Sequence, residues 1–188
     1  KMPINQLIEK LKKEGESVIE GFRSEILGVR SNRPQPALVE NIKVECPVYG
    51  SILPLKQLAT IQVSLPNSLI VQVWDKVNVS ACEKAIQAAN LGVSTIVEGS
   101  QIRVILPPLS QERRDQIFQL IKKKSEDTKI RLRLLREDVL KEIKELFEQK
   151  KISEDDKYRS KEQIDKLMDD FNHKIEEIVE SKRKEIYE

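Results

Sequence analysis

The stretch SQERRDQIFQLIKKKSEDTKIRLRLLREDVLKEIKELFEQ, Ser110–Gln149, decides the fold. It contains neither proline nor glycine, and Ile117, Ile121, Leu132, Leu135, Val139, Ile143 and Leu146 fall at steps that place them on one helical face. Ser110 is a suitable N-cap. At 1.5 Å per residue a helix of about 40 residues runs roughly 60 Å. Beyond it, Ser153-Glu154-Asp155-Asp156 approximates a capping box, with Asp156 where Glu or Gln is usual. The acids there suit the positive end of a new helix, while Lys150 and Lys151 complement the carbonyl end of the old one. The new helix carries Ile164, Met168, Phe171, Ile175 and Ile178 on one face and meets no proline or glycine before the end of the sequence.

A third helix stands at the other end of the chain. Pro3 sits where helices commonly begin. Ile4, Ile8, Leu11, Gly15, Val18, Phe22 and Val29 then follow as a heptad seam that skips the polar Glu25. Gly15 costs about 1 kcal/mol of helix propensity relative to alanine, which a closely approaching partner helix would explain. This helix is expected to end before Pro34, because a residue preceding proline is pushed out of helical geometry.

Between the helices the period changes to two. Ile42 and Val44, then Ile61, Val63 and Leu65, then Leu69, Val71 and Val73 read as strands, with Pro66-Asn67-Ser68 as a turn. A short helix after Ser80 carries Ala81, Ala85, Ile86 and Ala89 and is closed by Gly92. Gly99-Ser100 leads into a last strand, Gln101–Leu106, which Pro107-Pro108 stops. The expected class is α+β: an elongated antiparallel three-helix bundle from residues 1–30 and 107–188, with an inserted β/α/β domain at residues 31–106. The connectors Arg30–Pro36 and Leu106–Pro108 are proline-rich, and two chain crossings make a natural hinge. Its residues would be Arg30, Ser31, Asn32, Arg33, Pro34, Leu106, Pro107 and Pro108.

Composition agrees with a surface-rich helical protein. Charged residues are 34% and aromatics 4% of the 188 residues, where a globular enzyme spends more on aromatic core and pocket lining. The net charge of +2 is too small to imply a nucleic-acid partner by itself, so its distribution matters. Lys122, Lys123, Lys124, Lys129, Arg131, Arg133 and Arg136 face only Glu126 and Asp127 in one stretch, with Arg113 and Arg114 upstream. The same helix then turns acidic with Glu137, Asp138, Glu142, Glu145 and Glu148. Lys129, Arg133 and Arg136, at i, i+4 and i+7, share a face. Such a stripe could neutralise several phosphates, with binding that falls steeply in salt. It could equally be a solvated face paired with acids on neighbouring helices.

Chemistry-bearing motifs are few. His173 is the only histidine, lies among Asp169, Asp170, Glu176 and Glu177, and reads as a surface residue. Asp155, Asp156, Asp169 and Asp170 lack a calcium-loop glycine and read as caps and solvated groups. Cys46 and Cys82 show no CxxC spacing, which argues against zinc and suits a reducing compartment. Cys82, near a helix start, could be an activated thiol, but a small buried packing residue is the plainer reading. No Walker A or GxGxxG pattern occurs, so neither nucleotide nor other cofactor is expected. Trp74-Asp75 is a single WD dipeptide, and Trp74 is expected in the core or at an edge contact. No apolar run reaches membrane-span length, and Lys1–Leu11 reads as an ordinary amphipathic helix and not as a targeting signal. The cytoplasm is expected, with an organelle matrix or stroma as the alternative.

Several stretches together resemble the ribosome recycling factor family. They are Tyr49-Gly50, Pro54-Leu55 with Gln57-Leu58-Ala59, Val73-Trp74-Asp75, Glu83-Lys84-Ala85-Ile86 with Leu91-Gly92, and Gly99-Ser100-Gln101-Ile102-Arg103. Leu106-Pro107-Pro108-Leu109-Ser110-Gln111-Glu112-Arg113-Arg114 and Lys151-Ile152-Ser153-Glu154-Asp155-Asp156 complete the series. The resemblance implies an L-shaped, non-catalytic translation factor. Such a factor binds the large ribosomal subunit and its rRNA after termination and, with the GTPase elongation factor G, splits the ribosome. It also implies rRNA contacts at Arg133 and Arg136, with Lys129, Lys122 and Lys123 alongside and Arg30 among them, and places Arg30 and Arg33 as hinge-side arginines. A member of this family would act as a monomer without metal or cofactor.

This chain departs from the family pattern in places. Ser31-Asn32-Arg33-Pro34 stands where Thr-Gly-Arg-Ala is usual; Asn32 can still adopt positive φ, and Pro34 is expected to stiffen the joint. Lys129 stands for an arginine, Leu134 for an asparagine and Glu137 for a second arginine, and Lys122–Lys124 are expected to compensate. The competing readings are a helical adaptor that pairs with a partner coiled coil, and an enzyme whose polar catalytic set is not visible.

Overall fold

The computed structural model describes residues 2–188. Four α-helices and six strands follow in the order α1 (Met2–Leu27), β1 (Lys43–Cys46), β2 (Ser51–Pro54), β3 (Ala59–Ser64), β4 (Ser68–Val73), α2 (Val79–Ala88), β5 (Ser94–Glu98), β6 (Gln101–Ile105), α3 (Gln111–Glu148) and α4 (Glu154–Tyr187). The class is α+β. The chain divides into two compact units: α1 to Ile26 with Gln119–Ser181, and Leu27–Phe118 with Lys182–Glu188.

The first unit is a three-helix bundle. Pro3, Gln6 and Lys10 border Glu145, Leu146 and Gln149, while Lys124 reaches Glu25 at 3.2 Å, so α1 and α3 are antiparallel. Ile4 and Asn5 lie beside Asp156, Ser160 and Gln163, and Gly15 lies beside Phe171, so α1 and α4 are parallel. The α1 seam differs from a strict heptad. Leu11, Gly15, Ile19, Phe22 and Ile26 are buried, while Val18 and Val29 are only half-buried. Steps of four, four, three and four keep a straight 3.6-residue helix on its partners, which a fixed seven-residue repeat would not. The helix stops at Leu27, earlier than the proline rule required.

On α3, Ile121, Leu132, Val139 and Ile143 are buried as expected. The eleven-residue gap between the first two is filled by buried Ser125 and Thr128, and Thr128 Oγ1 donates to the Lys124 carbonyl at 2.8 Å. A buried hydroxyl satisfied within its own turn avoids the cost of an unpaired polar group. On α4 Ile164, Met168, Phe171, Ile175 and Ile178 are all buried. The α3–α4 turn is closed by backbone chemistry. Lys150 lies at φ +59°, its N–H donates to Phe147 O at 2.9 Å, and Lys151 N–H donates to Leu146 O at 2.9 Å. This is a Schellman end with a lysine in the left-handed position that glycine occupies most easily. Lys150→Gly is therefore expected to raise the unfolding free energy by about 0.5–1 kcal/mol, the relief of strain exceeding the small loss of charge at the carbonyl end, as urea denaturation would show.

The capping box that follows is reciprocal. Asp156 N–H donates to Ser153 Oγ at 3.0 Å, and Ser153 N–H donates to Asp156 Oδ2 at 3.3 Å. The backbone hydrogen bond from Ser153, and then its side chain, hold the Asp156 carboxyl below its ordinary pKa. A lowered folded value means this contribution is present above the ordinary carboxylate range and fades as pH falls through the folded value.

The second unit holds a four-stranded antiparallel sheet in the order β3-β4-β6-β5 and a separate β1–β2 hairpin. Register pairs Ile61 with Val71 and Val71 with Ile102, so the apolar residues of three strands share one face. That face packs with α2 and the hairpin around Val44, Leu55, Leu69, Val71, Ile86, Ile102 and Val104. Two strands exceed the sequence reading, β2 and β5. Leu65, expected in a strand, instead stands 80% exposed at the β3–β4 turn. Trp74 is not in the core: it is 63% exposed, and its indole N–H donates to Thr60 Oγ1 at 2.9 Å. Cys46 and Cys82 are free and buried. Burial, with Cys46 nearby, pushes the Cys82 thiol up to about 11, the opposite of an activated nucleophile.

Candidate nucleic-acid interface

The basic residues of α3 fall on more than one side of it. Lys122, Lys123, Arg131 and Arg133 are exposed. Lys129 and Arg136, at i and i+7, lie nearer the buried face and are only partly exposed. Each is met by one carboxylate: Lys129 Nζ lies 3.5 Å from Glu126 Oε1, and Arg136 Nη2 donates to Asp165 Oδ1 on α4 at 3.0 Å. Lys124 is likewise held by Glu25. Of the stripe Lys129, Arg133 and Arg136, the middle residue is thus the outermost, and its neighbours are steadied by ion pairs. Pairs this exposed are worth about 0–1 kcal/mol. A phosphate can therefore take over such a cation at little cost. The acids Glu137, Asp138, Glu142, Glu145 and Glu148 are all exposed on the following turns, so the charge separation along α3 is a surface property.

Leu134, Ile130 and Leu120 are also exposed on α3, at 55%, 48% and 47%. Leu134 thus presents an apolar side chain to solvent beside the basic residues.

Arg30 does not join the stripe. It is 5% exposed, and its guanidinium donates to the carbonyls of Ser31 and Pro107. Burial first, and then the nearby Arg113 charge, lower its pKa from the ordinary arginine value. Its guanidinium is bonded to backbone oxygens and almost closed off from solvent, which sets Arg30 apart from the exposed cations of α3. Arg33 is the exposed arginine of residues 30–34.

Residues 30–34 and 106–108 all lie within the second unit. Ser31 and Pro34 are buried, and Ser31 Oγ accepts from Arg33 N–H at 3.3 Å. Asn32 lies outside the positive-φ region, where the only non-glycine residues described are Asn90 and Lys150. Its amide is used instead: Oδ1 accepts from Leu109 N–H at 3.2 Å and Nδ2 donates to Ile186 O at 3.1 Å. Leu106 is buried, whereas Pro107 and Pro108 are exposed. The end of α4 is further held by Tyr187, whose hydroxyl donates to Asp115 Oδ1 at 2.6 Å and whose ring meets Phe118 edge-on at 5.9 Å. The Asp115 hydrogen bond raises the Tyr187 pKa above its ordinary value.

Sequence reading alone does not single out Lys182. It is 3% exposed and paired with Glu185 at 3.3 Å, and burial lowers its pKa against the opposing pull of Glu185. The available signal is its place four residues beyond Ile178, on the core seam of α4. His173 is exposed and lies 3.4 Å from Glu177. Among the described residues no group of three or more metal-ligating side chains comes together, and no helix is long and apolar enough to cross a membrane.

Comparison with known proteins gives one answer. A family model described as Ribosome recycling factor matches residues 22–187. The ribosome-recycling factor of Chlorobium phaeovibrioides is 42% identical over 187 residues, covering 100% of both chains. That of Pelodictyon phaeoclathratiforme is likewise 42% identical over 187 residues and 100% of both. The fold is similar to a solution structure of the ribosome recycling factor, with TM-score 0.77, 40% identity, and coverage of 97% of this chain and 96% of that one. It is also similar to a chain among models for the T. thermophilus ribosome recycling factor and the E. coli elongation factor G bound to the E. coli post-termination complex. There the TM-score is 0.69, with 31% identity and coverage of 98% and 99%. Matched end to end in sequence and in fold, this chain belongs to the ribosome recycling factor family, whose members are translation factors and not enzymes.

Proposed function

We propose that this chain binds the rRNA of the large ribosomal subunit after termination and, with the GTPase elongation factor G, splits the ribosome into subunits. The observation that carries the reading is the exposed basic half of α3, with Arg133 outermost and Lys129 and Arg136 beside it under weak ion pairing. Backbone phosphates are the ligand such a surface suits. A similar chain belongs to a set of models in which recycling factor and elongation factor G are bound to a post-termination complex, which supports the same partners here. GTP hydrolysis belongs to the partner. Residues 1–30 with 107–188 serve as the RNA-binding bundle and residues 31–106 as the head that receives the push, joined through Arg30–Pro34 and Leu106–Pro108. The protein works as a monomer in the cytoplasm and uses no cofactor.

The test is breakdown of post-termination ribosomes followed by light scattering, with this protein, the GTPase and GTP. Splitting that needs all three is the expected result, and intact ribosomes after addition of all three would reject the reading. A second reading, an adaptor that pairs with a partner helix, draws on the exposed Leu120, Ile130 and Leu134. It requires association of α3 that is insensitive to salt, where phosphate binding requires the reverse.

A further inference from the structure

We infer that Asn32 is a positioning residue that latches the last turn of α4 to both connectors and so limits how far residues 31–106 can reorient. The inference rests on the hinge assigned under the proposed function and deepens it.

Pro107 and Pro108 have no N–H to give, so Leu109 supplies the first backbone donor after the second connector leaves the sheet. That donor goes to Asn32 Oδ1 at 3.2 Å. At the other side, α4 ends at Tyr187, and the carbonyls of a last helical turn lack N–H partners four residues on. Glu188 N–H takes the carbonyl of Lys184 at 2.8 Å, and Asn32 Nδ2 takes that of Ile186 at 3.1 Å. One side chain thus closes both gaps. The two partners also fix which end of the amide is which, because a carbonyl demands the NH2 and an N–H demands the oxygen.

Asn32 does not act alone, but it is the member that ties three segments. Arg30 joins the two connectors only, through Ser31 O and Pro107 O. Tyr187 joins the end of α4 to Asp115 and Phe118 at the start of α3. Of these three residues, Asn32 is the one that links the first connector, the second connector and α4 at once. A glycine there could supply none of this, and an aspartate could supply half. Its carboxylate would still accept from Leu109 but would face the Ile186 carbonyl at the negative end of the helix dipole.

The experiment uses the full chain with Asn32→Gly and Asn32→Asp. Amide hydrogen exchange at Leu109 reads the first bond directly. It is expected to speed up at least tenfold in the glycine variant and to stay near wild type in the aspartate variant. Spin labels at Glu98→Cys and Lys141→Cys read reorientation as the width of their distance distribution. Both sites are exposed, whereas native Cys46 and Cys82 are buried and Cys82 stays protonated with its pKa at about 11, so the labels go to the added thiols. The distribution is expected to broaden in both variants. Unchanged Leu109 exchange in Asn32→Gly, or an unchanged width in both variants, would overturn the latch. Broadening in the glycine variant alone would overturn it as well, because Ile186 would then have no part in it. Neither measurement needs a ribosome, so failure here is distinct from failure to split ribosomes.

Discussion

Replacing Phe171 by alanine is expected to lower the unfolding free energy by about 3–5 kcal/mol, the largest single-residue effect in the bundle. Its side chain is 1% exposed, and its ring lies over Gly15 of α1. A Cβ added at Gly15 would stand 2.3 Å from two ring carbons, far inside van der Waals distance. The missing methyl of Gly15 and the ring of Phe171 are therefore one packing unit shared by two helices. Gly15→Ala should cost about 1–3 kcal/mol from overpacking, reduced by the roughly 1 kcal/mol that alanine gains as a helix former. In a Phe171→Ala background the clash is gone, and the same Gly15→Ala change should become neutral or stabilising. Urea denaturation of the four proteins measures this. A Phe171→Ala protein within about 1 kcal/mol of wild type would show that α1 and α4 collapse onto each other without the ring.

Arg133→Ala/Arg136→Ala is expected to weaken large-subunit binding by at least about tenfold near physiological salt, since hydrogen bonds to charged groups are worth roughly 1.5–3 kcal/mol each. The log–log slope against salt should flatten by about one for each phosphate that is no longer neutralised. The two residues should not contribute alike. Arg136 reaches RNA only by sharing or leaving Asp165, whereas Arg133 is exposed already. Arg133→Ala alone should therefore carry the greater part of the effect. Subunit pelleting across a salt series checks both statements, and a double variant with wild-type affinity and slope would remove these residues from the interface.

The long helices could be read from sequence because nothing interrupts them: α3 and α4 contain neither proline nor glycine, and the capping box between them is reproduced in the structure atom for atom. The strands were harder. β2 is four residues with Pro54 at its end, and β5 leaves Ile96 and Val97 both largely exposed, so neither presents the alternation that marks a half-buried strand. Leu65 continues the alternation of Val63 but lies in a turn, since period alone cannot say where a strand stops. On α1 the choice of Ile19 over Val18 depends on which neighbours the helix meets, and Val29 drops out because the helix has already ended at Leu27. The basic stretch was legible as charge, but the pairing of Arg136 with Asp165 spans two helices, and the burial of Arg30 depends on Pro107, 77 residues away. Asn32 looked like a backbone substitute for glycine, and only tertiary structure shows its amide bonded to Leu109 and Ile186.

Seven cations against two acids in Lys122–Arg136, followed by five acids against two lysines in Glu137–Glu148, have a consequence of their own in a chain whose net charge is only +2. The centres of the two stretches lie about 20 Å apart along one rigid rod. An electric field from a phosphate-covered surface pulls such a body weakly but twists it strongly. Approach is governed by alignment more than by attraction, with one half of α3 swung inward and the other held off, and added electrolyte should blunt that torque before it abolishes association.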